Sequence, residues 1–219
     1  MDCGQEGSGR RAAALRLRAV LAGALVLGVG GSVTLASWTD TDYAAGAFGA
    51  SLFRTESNST KPYDALGAWR ANDTPPGAAL VFNAGSMSPG TVVYAPFAIR
   101  TTAGSVAGEV VLGAPSVTSS GTGDADLGAA LRYRVIRSAT CEASSFLASP
   151  AFVIGGSGAE PFTAGQAAGL VNPLQPAPAA LPGEPTRFCF EVTLPAGASN
   201  ALQGQTATAT WQFTATSSP

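Results

Sequence analysis

Histidine is absent from all 219 residues of the chain. Imidazole is the usual general base near neutral pH and a common zinc ligand, so its absence excludes Ser-His-Asp triads and His-based zinc sites. A Ser/Lys dyad would depend on Lys61, which lies in a turn-rich segment. We therefore expect a protein that is not an enzyme and that has no catalytic residues, metal or other cofactor.

Charge is scarce as well. Charged residues make up 12% of the chain, about half the share of an ordinary soluble domain. From residue 37 onward there are 8 basic and 12 acidic residues, and the basic residues form no cluster. Since affinity for nucleic acid needs clustered Lys and Arg, a nucleic-acid partner is excluded. The 46% of apolar residues nevertheless predicts a folded chain.

Residues 1–36 have the three parts of a secretory signal peptide. A region with Arg10, Arg11, Arg16 and Arg18 precedes the uncharged apolar run 19–36, and a polar, acidic stretch follows. Thr34 and Ala36 are the small residues at −3 and −1, which predicts cleavage before Ser37. The alternative is a retained membrane anchor, but the run is short for a span and rich in glycine. We therefore expect the chain to contact the membrane only transiently, through the signal peptide.

Three cysteines are present, and Cys3 would leave with the signal peptide. The remaining pair, Cys141 and Cys189, predicts a disulfide, because an even pair in an exported protein is most simply a bridge. The alternative is two unpaired thiols in the core.

Residues 37–219 are expected to form one all-β domain, an antiparallel sandwich after an N-terminal signal helix. Apolar and polar residues alternate with the period of a half-buried strand, and Gly/Pro/Ser turns separate the runs. The predicted strands are 46–55, 79–83, 91–100, 107–113, 130–137, 187–194 and 206–216. In the run 187–194, Phe188, Phe190, Val192 and Leu194 form an inward apolar face, which places Cys189 on the outer side.

Residues 142–186 contain a Pro/Ala/Gly-rich tract and are expected to form a long, partly extended excursion. Proline lacks the backbone donor that a central strand needs. A bridge between Cys141 and Cys189 would hold the two ends of this excursion together.

The signal-peptide junction, GVGGSVTLASWTDTDYAAGAFGASLF at 28–53, resembles that of the TasA/camelysin family, in an actinobacterial-style variant. The shared features are a Gly-rich apolar run, a small-residue site, an aromatic, one or two Asp and a Phe-x-x-Gly-like start, here Ala36, Trp38, Asp40, Asp42 and Phe48. Residues 87–113 and 200–217 are similar to the family's Pro-Gly turn with two strands and to its closing strand.

This resemblance implies processing by a SipW-type signal peptidase, a jelly-roll-like sandwich, and a role at the cell surface or in a biofilm-type extracellular matrix. Polymerising members of the family pass an N-terminal strand to a neighbouring subunit. The matching stretch here is 37–55, with Phe48, Ala50 and Leu52 as the candidate donor strand. The partner would then be a second copy of the chain or another matrix protein.

Other readings remain open at this point. The family also contains a surface metallopeptidase, but the absence of histidine disfavours that activity here. A secreted hydrolase with paired carboxylates would not need histidine, and a monomeric surface binding module is a further alternative. Asp124 and Asp126 could offer oxygen ligands to calcium, although two carboxylates are few for such a site; a solvated turn is the simpler interpretation.

Overall fold

We describe a computed structural model of the chain, which defines residues 7–30, 40–63, 69–80, 82, 86–147 and 149–218. It divides into two compact units, residues 1–48 and 49–219. The first contains helix α1 (Gly7–Gly30). Within the described residues, no helix combines the length and hydropathy that a membrane span requires.

The regular secondary structure of the second unit consists mainly of antiparallel strands, as predicted. In chain order they are β1 (Thr55–Asn58), β2 (Val92–Thr101), β3 (Gly108–Leu112), β4 (Ser116–Ser119), β5 (Arg132–Arg137), β6 (Ala151–Ile154), β7 (Glu160–Pro161), β8 (Asn172–Leu174), β9 (Thr186–Thr193), β10 (Ala207–Thr210) and β11 (Phe213–Ser217). The short helix α2 (Leu127–Ala130) precedes β5, and 3-10 turns occur at Gly123–Ala125, Ala143–Phe146 and Asn200–Leu202.

The larger sheet has the strand order β1-β2-β9-β5-β6. The strand β7 pairs with the same edge of β5 as β6 does, β6 at residues 135–137 and β7 at Arg132 and Tyr133. Opposite it, β3 pairs with β11 and β4 with β10, and β8 adds to the other side of β3. The backbone N–H of Gly113 donates to the Gln212 carbonyl oxygen at 2.9 Å, between the two paired runs. The strands 108–119 and 207–217 are therefore one ribbon with a single irregularity.

The main core lies between these two layers. Alternate residues of three strands form its inward faces: Ala95, Phe97 and Ile99 on β2, Tyr133 and Val135 on β5, and, as predicted, Phe188, Phe190 and Val192 on β9 are all buried. Val110 and Leu112 on β3 and Leu174 on β8 close the core from the second layer. The all-β sandwich is confirmed, whereas the strand order alone does not establish the jelly-roll connection.

Several predicted boundaries are wrong. The first strand is Thr55–Asn58 rather than 46–55, because the stretch before it offers only one backbone bridge, at Leu52. The described residues of 79–83 belong to no strand, and the run 206–216 is interrupted at Trp211 and Gln212. The excursion 142–186 contains three short strands, and its Pro173 lies on β8, an edge strand where a missing backbone donor is tolerated.

Candidate assembly surface

The candidate donor segment has almost no place in its own sheet. Residues 40–51 belong to no helix or strand. The Tyr43 and Phe48 side chains are 93% and 99% exposed, and Ala50 is exposed as well. Leu52 is the first residue with a backbone partner: it bridges to Ser105, and its carbonyl oxygen accepts from the Val106 N–H at 2.9 Å. All three predicted donor residues thus lie outside any strand, and Leu52 alone among them has a backbone partner.

The chain becomes anchored at Phe53 and Arg54. The Phe53 ring packs against the main core in the space beside Gly108, where a side chain would overlap it. The Arg54 carbonyl oxygen accepts from the Thr102 N–H at 2.9 Å, and β1 follows at once. Sequence reasoning missed this anchor. The available signal was a glycine inside a strand, which often marks close approach of another group.

The outer edge of β10 and β11 has no strand partner among the described residues. β10 and β11 pair with β4 and β3 on one side, and no other strand among the described residues pairs with their second side. Their inward residues, Trp211 and Phe213 among them, are only half-buried, although Phe188 and Phe190 beneath them are fully buried. This unpaired edge therefore presents backbone donors and acceptors together with partly uncovered apolar side chains.

Aromatic contacts position this edge over the large sheet. Phe213 stacks on Phe97 of β2 with ring centroids 4.3 Å apart. Trp211 lies 5.1 Å from Phe190 and 5.9 Å from Tyr133, measured between ring centroids. Burial raises the pKa of Tyr133 to about 12. The rings of Trp211 and Phe213 thus hold the ribbon over the central strands of the large sheet, although the outer edge of the ribbon has no strand partner among the described residues.

The predicted disulfide is confirmed: Cys141 and Cys189 are bonded, with Cα atoms 5.0 Å apart. Cys189 lies on the face opposite to Phe188 and Phe190, but this face is not a solvent-exposed outer side, because Cys189 is fully buried. The start of the excursion folds back over it and places Phe146 and Phe152 in a second apolar cluster. The bridge therefore fastens the excursion onto the sheet.

On the same side of the sheet as the disulfide, the buried Glu191 forms an ion pair with the partly exposed Arg134. Arg134 Nε donates to Glu191 Oε1 at 2.7 Å and Nη2 to Oε2 at 2.8 Å, a two-pronged arrangement. The guanidinium also lies 5.1 Å from the Phe146 ring centroid. Hydrogen bonding to Glu191 raises the pKa of Arg134, and burial together with the Glu191 charge raises the pKa of Tyr94. Because Arg134 neutralises its charge, Glu191 can be buried on this face of the sheet.

The acidic loop has a structural explanation. Asp126 caps α2, and its Oδ1 accepts from the Ala129 N–H at 3.1 Å. Hydrogen bonding to Ser119 and to this backbone lowers the pKa of the Asp126 carboxyl. Asp124 lies in the preceding 3-10 turn. In the described part of the chain, no three or more His, Cys, Asp or Glu side chains gather as a metal site would require.

Among the described residues, Glu191 is the buried acid, and its carboxylate is paired with Arg134. An open cavity of about 330 Å³ lies at the ends of β5 and β9, and its lining includes Arg137 and Arg187 but no carboxylate. Glu184, 3.0 Å from Arg187, already neutralises part of that charge.

The predicted cleavage residues Thr34, Ala36 and Ser37 lie outside the described residues. No known family model matches this chain, and a search of curated proteins finds no match. The class that the structure defines is an antiparallel β-sandwich with a disulfide, a bond typical of proteins that fold in oxidising compartments. The outer side of β10 and β11 is among the sheet edges that no described strand covers.

Proposed function

We propose that this chain is an exported structural protein of the cell surface or extracellular matrix, a β-sandwich subunit that associates with copies of itself. One observation carries the proposal: an exposed segment at 40–51 that bears Tyr43 and Phe48 coexists with an unpaired edge on β10–β11. A strand from one molecule can complete the hydrogen bonds of such an edge on another, and its alternate side chains supply specificity.

The resemblance of the 28–53 junction to the TasA/camelysin family supports export and processing by a SipW-type peptidase. The disulfide agrees with that route, because such bonds persist mainly outside the cytosol. We propose cleavage before Ser37, which would free the donor segment from the signal peptide. A gene for a SipW-type peptidase beside this one would add support.

The test compares the intact secreted protein with a variant that lacks residues 37–50. Mass spectrometry of the secreted protein first establishes whether it begins at Ser37; a start before residue 30 contradicts the processing step. Electron microscopy and size-exclusion chromatography then follow assembly over time. We expect the intact protein to form fibres or large oligomers and the shortened protein to remain monomeric.

A point substitution sharpens this comparison. Phe48→Ser should slow assembly, because it removes an aromatic side chain of the donor segment that is 99% exposed. Leu147→Ser is the matched control, since Leu147 is also an exposed apolar residue, at 82%, but lies in the excursion. Equal assembly of the shortened and intact proteins would refute the donor role, and a permanently monomeric intact protein would favour a monomeric binding module.

A further inference from the structure

The Pro-rich tract of the excursion presents an exposed apolar loop. Residues 175–183, which we call the proline loop, contain no charged residue. The side chain of Leu181 is 64% exposed, and Pro176 and Pro178 are exposed as well. Exposed apolar side chains that lie together mark candidate interaction surfaces.

Hydrogen bonds fix both ends of the proline loop to the end of β2 and to the turn that follows it. The Ala177 N–H donates to the Ser105 carbonyl oxygen at 2.9 Å, and the Gly183 N–H donates to the Thr101 carbonyl oxygen at 3.0 Å. The hydroxyl of Thr101, a fully buried residue, donates to the Gln175 carbonyl oxygen at 2.6 Å. A loop held in this way loses little conformational entropy when its apolar tip is covered by a partner.

The same turn holds the base of the donor segment. Ser105 Oγ accepts from the Arg54 N–H at 3.2 Å. A Cβ atom at Gly104 would lie 4.0 Å from Leu52 Cδ2, and the Gly104 N–H donates to the Pro178 carbonyl oxygen at 2.8 Å. The chain therefore enters the sandwich at Leu52 directly beside the proline loop.

Chain length limits how far a subunit that receives the donor segment can lie from this point. Phe48 and Leu52 are four residues apart, so at most about 14 Å separates their Cα atoms. The sandwich unit, residues 49–219, should have a radius of gyration of about 15 Å. Because this size exceeds the tether, a subunit that binds Phe48 must lie against the surface around Leu52, and the proline loop supplies exposed apolar side chains there.

We infer that the proline loop is a docking surface for the subunit that receives the donor segment, a second copy of this chain, with Leu181 as its apolar anchor. This inference rests on the proposed function and names a second contact of the same assembly. The donor strand supplies backbone hydrogen bonds. The loop adds apolar area that a whole subunit covers and that an isolated strand does not, and such anchors contribute much of the binding energy of an interface.

The test compares the secreted wild-type protein with Leu181→Ser and Leu147→Ser. Leu147→Ser is the matched control, because Leu147 is also an exposed leucine of the excursion, at 82%, but follows the turn at Ala143–Phe146. Light scattering over a concentration series gives the minimum protein concentration for assembly. The affinity of a fluorescent peptide of residues 40–51 is measured below that concentration. Hydroxyl-radical footprinting of the wild type compares the protection of Leu181 and Leu147 before and after assembly.

We expect Leu181→Ser to raise the minimum concentration for assembly about tenfold, which corresponds to about 1.4 kcal/mol, and Leu147→Ser to leave it unchanged. Both variants should bind the peptide as the wild type does, because the peptide brings no subunit to the loop. Assembly should protect Leu181 but not Leu147 in the wild type.

Four outcomes would overturn the docking role while leaving the donor function standing: assembly of Leu181→Ser at the wild-type concentration, an equal effect of both substitutions, weaker peptide binding by Leu181→Ser, or an unprotected Leu181 in the assembled protein. A wild-type protein that neither assembles nor binds the peptide contradicts the proposed function, and the docking role fails with it.

Discussion

The disulfide is expected to contribute a large share of the protein's stability. It closes a loop across a sequence separation of 48 residues, for which the chain-entropy relation gives about 4 kcal/mol at 25 °C. In a domain of this size, each kcal/mol shifts the melting temperature by about 2–4 °C, so loss of the bridge should lower it by roughly 8–16 °C. The perturbation is the double substitution Cys141→Ala and Cys189→Ala.

Urea unfolding followed by fluorescence gives the free energy of unfolding of both proteins, each with and without a reductant. Reductant should destabilise the wild type by about as much as the double substitution does, and it should leave the double variant unchanged. The unfolded chain without the bridge is less constrained, so the denaturant slope should also increase. A loss below about 1 kcal/mol would refute the entropy argument. A reductant effect on the double variant would show that the assay measures something other than the bridge.

Two further predictions concern the anchor and the core. Gly108→Ala should lower the free energy of unfolding by about 1–3 kcal/mol, because the added Cβ would overlap the Thr216 carbonyl oxygen and the Phe53 ring. Gly113→Ala is the control, since the nearest atom to its Cβ would be 3.5 Å away. Equal urea midpoints for the two alanine variants would contradict this prediction. Burial raises the pKa of Tyr133 from 10.0 to about 12. Between these pH values the Tyr133 hydroxyl keeps its proton in the folded protein and loses it in the unfolded chain. The free energy of unfolding should therefore fall as pH rises from 10 towards 12. Tyr133→Phe should flatten that fall in thermal melts between pH 9 and 11.5, and an unaltered slope would exclude Tyr133 as its source.

The central strands could be predicted because each of them buries one complete face. In β9, for example, Phe188 and Phe190 are fully buried and lie on one side of the sheet. The short strands of the excursion could not be found in this way. β7 has two residues and β8 three, one of them Pro173, which is too few for a periodic pattern to emerge.

The run 79–83 shows the opposite error. Apolar alternation indicates that side chains pack on one side, and Leu80 and Phe82 do pack against the core. It carries no information on whether a neighbouring backbone is present to complete a ladder, and the described residues of this run form none. The burial of Cys189 was missed for a related reason: the outer face of β9 is covered by Phe146 and Phe152 from the excursion, a tertiary contact that local pattern cannot reveal.

The pairing of distant segments also sets the order in which this chain can fold. β2 pairs with β9 and β3 with β11, so most of the sheet joins residues that are far apart in sequence. Such a topology of high contact order folds slowly, because the entropy of loop closure is lost before the contacts form. Cys141 follows β5 closely, and Ile136 of β5 lies opposite Cys189 in the sheet. Oxidation of this pair during refolding would therefore report the moment at which the central strands β5 and β9 meet.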